Sequence, residues 1–324
     1  MFDRRIDALG TWALVRLGRD PFGLQVFVAR AVLALGTFLT LVCNPAAILL
    51  HSGDPSATQA VSCVDVGSAG AFCIAGGGDL DTVRLVLAIF CLPTILGIVP
   101  AVSGWLHAYA AFSLSSNAIG IEGGDQLTVT LAILLSVASL TDRRLTAFTE
   151  NRRPGTHVRF VLSNMLLWVC TIQVAYVYVE AALVKLGHPI WAEGTALWYW
   201  AQNSGFGVSK DGESLLLDLL AAPVISAAAT WGTMILELVI AAFLVFGWRR
   251  RRLRLAALVL GLGFHLVIAA VMGLVTFFIA MTGALVISCW RPRDGYPLRL
   301  FRRLRRTALS TPGRKPTYEG TRVA

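Results

Sequence analysis

Charge is scarce in this sequence. Only 15% of its 324 residues are Asp, Glu, Lys or Arg, against 56% hydrophobic residues and a mean hydropathy of +0.68. Soluble domains carry about a quarter charged residues. A single water-soluble core is therefore excluded for so much apolar surface, and the lipid bilayer is the expected solvent. Lysine is scarcer still: only Lys185, Lys210 and Lys315 occur among 28 basic residues. The six cysteines contain no Cys-x-x-Cys spacing, which removes the common redox and zinc motifs. Residues 1–24 lack the continuous apolar core of a cleavable signal peptide. There is no tandem repeat and no second soluble domain.

The long apolar runs lie at 25–50, 82–101, 103–119, 126–141, 158–184, 224–247, 255–271 and 273–290. A transmembrane helix needs about 20 mainly apolar residues, so the expected fold is an all-α polytopic transmembrane helix bundle of about eight spans. Arginine placement sets its orientation, since cytoplasmic loops collect positive charge. Arg4, Arg5, Arg16 and Arg19 put the N-terminus inside. Arg143, Arg144, Arg152 and Arg153 put loop 142–157 inside, and Arg249 to Arg252 with Arg254 mark another inner edge. From Arg291 onward ten basic residues face two acidic ones, so the tail is inside too. Loop 51–81 has Asp54, Asp65, Asp79 and Asp81 and no Lys or Arg, which places it outside. Parity then gives eight spans with both termini cytoplasmic in a multi-pass plasma-membrane protein. The parts are an interfacial amphipathic segment 1–24, a transmembrane domain 25–290 and a basic tail 291–324. The net charge of +9 follows this topology and does not indicate nucleic acid.

Cys63 and Cys73 share the outer loop, where a disulfide is permitted. Cys43, Cys91, Cys170 and Cys289 lie in apolar stretches as small hydrophobes. The largest outer segment, 185–223, gathers Trp191, Trp198, Tyr199 and Trp200, rings that favour the headgroup layer.

Ionisable residues within a membrane are candidates for function. Lys185 ends the fifth run, with Tyr178 seven residues earlier on the same helix face. A desolvated lysine can become neutral and act as a base, which an arginine cannot. The competing reading is a lysine that snorkels to the interface. Glu180, five residues before Lys185, lies on another face. Glu237 is a lone carboxylate in the sixth run, so it is either protonated or paired. His265 in the seventh run is equally a structural or a catalytic histidine. Asp125 follows Gly123 and Gly124, which permit close backbone approach. It is also well placed to favour a helix N-terminus. Arg84 at the outer edge of the second run is a candidate partner for Asp125. His107 lies toward the inner half and carries little weight.

At these residues the chain resembles a known family. Tyr178, Ala181, Lys185-Leu186, Trp191, Gly194-Thr195-Ala196 and Tyr199 resemble the signature of the horizontally transferred transmembrane (HTTM) domain, which is related to vitamin K-dependent gamma-carboxylase. Residues Arg30 to Thr37, Gly123-Gly124-Asp125-Gln126, Phe264-His265 and Gly273-Leu274 fit as well, and the similarity covers about residues 25–290. Within that family the chain looks like the sporulation-delaying protein B group, which implies help in maturing an exported peptide toxin. In the carboxylase, the lysine matching Lys185 deprotonates vitamin K hydroquinone. The carboxylase has a lysine doublet there, whereas this chain has Val184-Lys185. It also carries a large extracytoplasmic domain, where this sequence continues as a short basic tail.

Two readings follow. One is a maturation factor for an exported peptide, working at the outer face with an accessory protein. The other is a carboxylase- or epoxidase-like enzyme with Lys185 as base, Tyr178, Glu180, His265 and Asp125 around it, and a membrane quinol as cofactor. A transporter or immunity protein ranks last, because no paired repeats with broken helices occur.

Overall fold

The computed structural model describes residues 17–50, 63–76, 78–119, 122–149, 158–203, 216–247 and 250–289. Residues 1–16 of the expected interfacial helix over 1–24 fall outside these residues, and the basic tail and Lys210 fall outside entirely. The architecture is all-helical; among the described residues the only extended pairing is one bridge between Ile98 and Thr146.

Eight helices of fifteen or more residues are present among the described residues: α1 (Leu24–Cys43), α2 (Leu80–Ile95), α3 (Pro100–Asn117), α4 (Gly123–Ser139), α5 (Val158–Leu186), α6 (Pro223–Phe246), α7 (Arg251–Met272) and α8 (Val275–Cys289). Of these, α1, α5, α6 and α7 are long and apolar enough to cross a membrane. Helices α4 and α8 are apolar but shorter. At 1.5 Å per residue, the 15 residues of α8 reach about 22 Å, less than the ~30 Å hydrocarbon layer.

Several boundaries are set by single residues. The expected run 25–50 is broken: α1 stops at Cys43, and a separate short helix spans Ala46–Leu50. Pro45 is the cause, because the residue before a proline is pushed out of the helical region. Asn44 is accordingly extended (φ −117°, ψ 124°). The second run ends at Ile95, earlier than expected, and a tight turn over Leu96–Val99 leads directly into Pro100 at the start of α3. Gly273 takes a left-handed conformation (φ 73°) that closes α7 and turns the chain into α8 within two residues.

Helix α1 is shared by two buried clusters. On one side Val26, Ala29 and Leu33 join residues of α4 to α8, including Leu131, Tyr178, Ile240 and Leu285. On the other, Ala34 and Leu41 join α2, α3, Phe72 and the 46–50 helix. The α1–α8 contact is close because α8 carries Gly283: a Cβ there would lie 2.7 Å from Leu33 Cγ. Gly261 of α7 has the same role toward α8, since its Cβ would lie 2.6 Å from Leu285 Cδ1.

Arg30, buried in α1, ties that helix to the ends of two others. Its guanidinium donates to Ser139 Oγ (2.9 Å) and to the Pro100 carbonyl (2.8 Å). Arg84 pairs with Asp81 (2.8 Å) and donates to the Leu41 and Val42 carbonyls at the end of α1. The expected partner, Asp125, is instead held within its own helix terminus. Overpacking a filled core costs about 1–3 kcal/mol. Gly283→Ala should therefore lower stability by that amount in detergent unfolding; an unchanged midpoint would show that α1 and α8 are not in close contact.

Candidate functional site

The site forms where α5, α6, α7 and α8 meet beneath the segment after α5. Helix α5 keeps Tyr178 and Ala182 buried on the face that also carries Lys185. Gly187 and Pro189 end the helix, and the chain folds back through short helices Pro189–Ala192 and Ala196–Ala201. This segment is not a free loop. Trp231 Nε1 of α6 donates to the Ala192 carbonyl (3.2 Å), Ser226 Oγ to the Gly194 carbonyl (3.2 Å), and Leu197 N–H to Thr230 Oγ1 (3.3 Å). Gly194 is needed here on two counts: its φ is +79°, and a Cβ would lie 2.9 Å from Ala227. The N-terminal part of α6 therefore carries a cap that covers the end of α5.

Under that cap Lys185 turns inward and forms an ion pair with Glu237. The Lys185 side chain is 24% exposed and that of Glu237 5%. Trp191 of the cap lies over the ammonium, 5.3 Å from its ring centre, a cation–π contact. The inward geometry departs from a snorkelling lysine, and it resolves the lone carboxylate of α6 as paired. Glu237 uses one oxygen for Lys185; Oε2 is buried with no hydrogen-bond partner.

A second polar pair lies deeper. Tyr178 Oη and His265 Nε2 are 2.8 Å apart, both residues buried. The imidazole packs among Phe264 and Phe277, and its Nδ1 has no partner. Gly261, one turn before His265 on α7, keeps this contact short, because a Cβ there would lie 3.3 Å from Tyr178 Oη. Both pairs line one cavity of about 360 Å³, whose other walls are apolar, chiefly Phe264, Ile268, Phe277 and Met281. That size falls within the ~300–1,000 Å³ typical of small-molecule sites.

The other candidates stand apart. Glu180 is exposed and does not line the cavity. Asp125 is in a capping box with Glu122 at the start of α4: Glu122 N–H donates to Asp125 Oδ2 at 3.4 Å. The neighbouring glycines do allow close approach, since Gly123 lines the cavity and a Cβ on Gly124 would meet Phe277 at 2.9 Å. Partial burial beside Asp125 raises the affinity of the Glu122 carboxyl for its proton. His107 meets Thr37 (3.2 Å) away from the cavity. Cys63 and Cys73 are disulfide-bonded, and Asn117 of α3 donates to Cys73 Sγ (3.2 Å). No group of three or more potential metal ligands occurs among the described residues. Glu237 is the functional candidate that sequence reasoning set aside. Its signal was already present: a lone carboxylate in one apolar run, and a rare lysine in the run before it.

Long apolar helices whose ionisable groups converge on one inner cavity define a helical membrane protein. The chain belongs to the family of sporulation-delaying protein SdpB. It is 31% identical to that protein of Bacillus subtilis (strain 168) over 273 residues, which covers 83% of this chain and 81% of the relative. It is also 27% identical to the uncharacterized protein YitO of the same organism over 272 residues, 83% of this chain and 86% of that protein. No protein-family model matches the chain. No solved structure matches it.

Removing one partner of a buried ion pair costs about 3–5 kcal/mol, whereas replacing both by apolar residues is often neutral. Lys185→Met should thus strongly destabilise the protein, and Lys185→Met with Glu237→Met should recover most of the loss in detergent melting. A loss in the double variant equal to the sum of the losses in Lys185→Met and Glu237→Met alone would mean the two groups do not interact.

Proposed function

We propose that this protein is an eight-span plasma-membrane protein with both termini cytoplasmic, which assists the maturation or modification of an exported peptide at the outer face, together with an accessory protein. The observation that carries the reading is the Lys185–Glu237 pair, set in the wall of an apolar cavity beneath the 187–203 cap. A buried ion pair is weak support for stability, so its presence in so apolar a bundle favours function. Membership of the family of a sporulation-delaying protein supports a role beside an exported product. The capped segment and the Cys63–Cys73 loop are the surfaces that would meet it.

Topology and role are tested separately. On intact cells, a membrane-impermeant amine reagent should modify Lys210 and leave Lys315 untouched; the opposite pattern removes the outward orientation. Lys185→Arg keeps a cation but cannot release its proton. Mass spectrometry of culture medium should show the mature form of a co-encoded exported peptide falling by about 10²-fold or more, the usual scale for loss of a general base. Normal maturation in that variant would eliminate proton transfer at Lys185.

A second reading is favoured by the same pair: a carboxylase- or epoxidase-like enzyme of the HTTM type with Lys185 as base. Glu237 can take the Lys185 proton, leaving a neutral amine facing an apolar cavity at no change in net charge. The cavity suits a quinol ring in size, and Lys185, Tyr178 and His265 would hold its oxygens. When bound, such a group would supply redox chemistry. In this reading Glu237→Gln, which keeps shape but cannot hold the proton, should lose activity as fully as Lys185→Arg.

A further inference from the structure

The two sulfurs of the Cys63–Cys73 disulfide have unlike surroundings. Cys63 is exposed, whereas Cys73 is half-buried. The chain between them is seated on α3. The Ala71 N–H donates to Ser113 Oγ (3.1 Å), Tyr109 Oη donates to the Ala69 carbonyl (3.3 Å), and Phe72 is buried in the cluster of α1, α2 and α3. Asn117, 1% exposed at the end of α3, completes the seat. Its Nδ2 donates to the Gly67 carbonyl (2.9 Å) and to Cys73 Sγ (3.2 Å). The first bond serves to hold the loop. The second aims an N–H at the sulfur that lies away from solvent, and a neutral sulfur is only a weak acceptor. A thiolate would gain far more, because hydrogen bonds to ionised acceptors are about twice as strong. The rim of the bond has its own character. Val64, Val66 and Ile74 are 67%, 71% and 68% exposed. Exposed Asp65 lies two residues from Cys63, and segment 51–81 has no Lys or Arg.

We infer that this disulfide is an exchange site for a thiol-bearing peptide segment that is apolar and carries no net negative charge. The attacking thiolate, its proton already lost to water, forms a bond to Cys63 Sγ. The Cys63–Cys73 bond breaks, and its electron pair leaves on Cys73 Sγ beneath the Asn117 amide. One disulfide replaces another, so no outside oxidant is required. Exchange is fastest where the attacked sulfur is reachable and the departing thiolate is stabilised, and the geometry supplies these at Cys63 and Cys73 respectively. Return of the Cys73 thiolate to the mixed disulfide releases the segment, which makes the step a reversible covalent hold. The rim sets the partner: Asp65 repels anionic thiols, and the three aliphatic side chains offer apolar contact. The inference goes beyond the proposed function, since it uses neither Lys185 nor the cavity.

The test uses the full-length protein in detergent, with free thiols such as exposed Cys43 first blocked by N-ethylmaleimide. It would be treated with cysteamine or with 2-mercaptoethanesulfonate, thiols of matched length and opposite charge. Acid quenching after partial reaction, then peptide mass spectrometry, locates the mixed disulfide. We expect the probe on Cys63 in about nine adducts of every ten. Per thiolate, cysteamine should react about threefold faster, as attraction to an exposed carboxylate allows. Asn117→Leu should slow exchange about tenfold, the scale of a hydrogen bond to a charged group. Asp65→Asn should narrow the preference for cysteamine and leave the position of attack unchanged. Adducts divided evenly between the cysteines, or found mainly on Cys73, overturn the inference, as does a bond that neither probe opens in the folded protein. An unchanged rate in folded Asn117→Leu, or equal rates for the two probes, overturns it as well. The position of attack in the unaltered protein decides the matter even where Asn117→Leu does not fold. Lys185 has no part in this readout, so failure of the maturation role and failure of exchange are told apart.

Discussion

A carboxylate within an apolar helix must find a partner or a proton, and this constraint organises the half of the molecule that carries the site. Glu237 is too far along α6 to reach water by extension, so α5 must deliver Lys185 to it. That in turn requires α5 to end below the N-terminal end of α6. The chain after α5 then has α6 surface to fold against, and it fills it with Trp191, Leu197 and Trp200. Cap, cavity and ion pair are consequences of one another. A neutral residue at 237 would leave no reason for the lysine to turn inward.

The second requirement is close packing of backbones. In lipid, helices associate through small residues more than through hydrophobic burial, and the pattern is visible at Gly124, Gly261 and Gly283, each facing a larger side chain on the next helix. Gly261 links packing to chemistry most directly. It admits Leu285 on one side and Tyr178 Oη on the other, so the α7–α8 approach and the Tyr178–His265 contact depend on the same missing methyl group. Arg30 anchors the opposite end of the bundle by satisfying the Pro100 carbonyl and the Ser139 hydroxyl where α1, α3 and α4 converge.

Much of this was legible in the sequence, because apolar runs and arginine clusters are local signals. Each of the eight apolar runs overlaps one of the long helices, and most boundaries differ by a few residues. The larger discrepancy, at Pro45, was written in the chain but masked by the hydrophobicity around it. The site was legible in parts. Tyr178, Lys185, His265 and Glu237 each stood out as ionisable or polar groups in apolar surroundings, yet nothing in their spacing reveals which meets which across helices. Asp125 and Glu180 drew attention for the same chemical reason, but one serves a helix terminus and the other is exposed. Arg30 was noted only as the start of a matching segment and not for its charge, because arginine is so common here; its burial depends on where α3 begins and α4 ends.

The rarity of lysine acquires a physical meaning in this setting. An arginine opposite Glu237 would make an equally neutral pair and a more permanent one, since guanidinium keeps its proton under all ordinary conditions. With lysine the pair has two arrangements, ammonium with carboxylate or amine with carboxylic acid, and both have zero net charge. Passing between them moves one proton a short distance and brings no net charge into the apolar cavity, which is the expensive step in a low-dielectric region. The unpaired Glu237 Oε2 and the adjoining Tyr178–His265 pair place further proton-exchanging atoms around the same space. In a bundle that satisfies its other needs with arginine, one lysine at this position fits the proposed reading, in which a proton moves between the two side chains, better than a permanently charged arginine would.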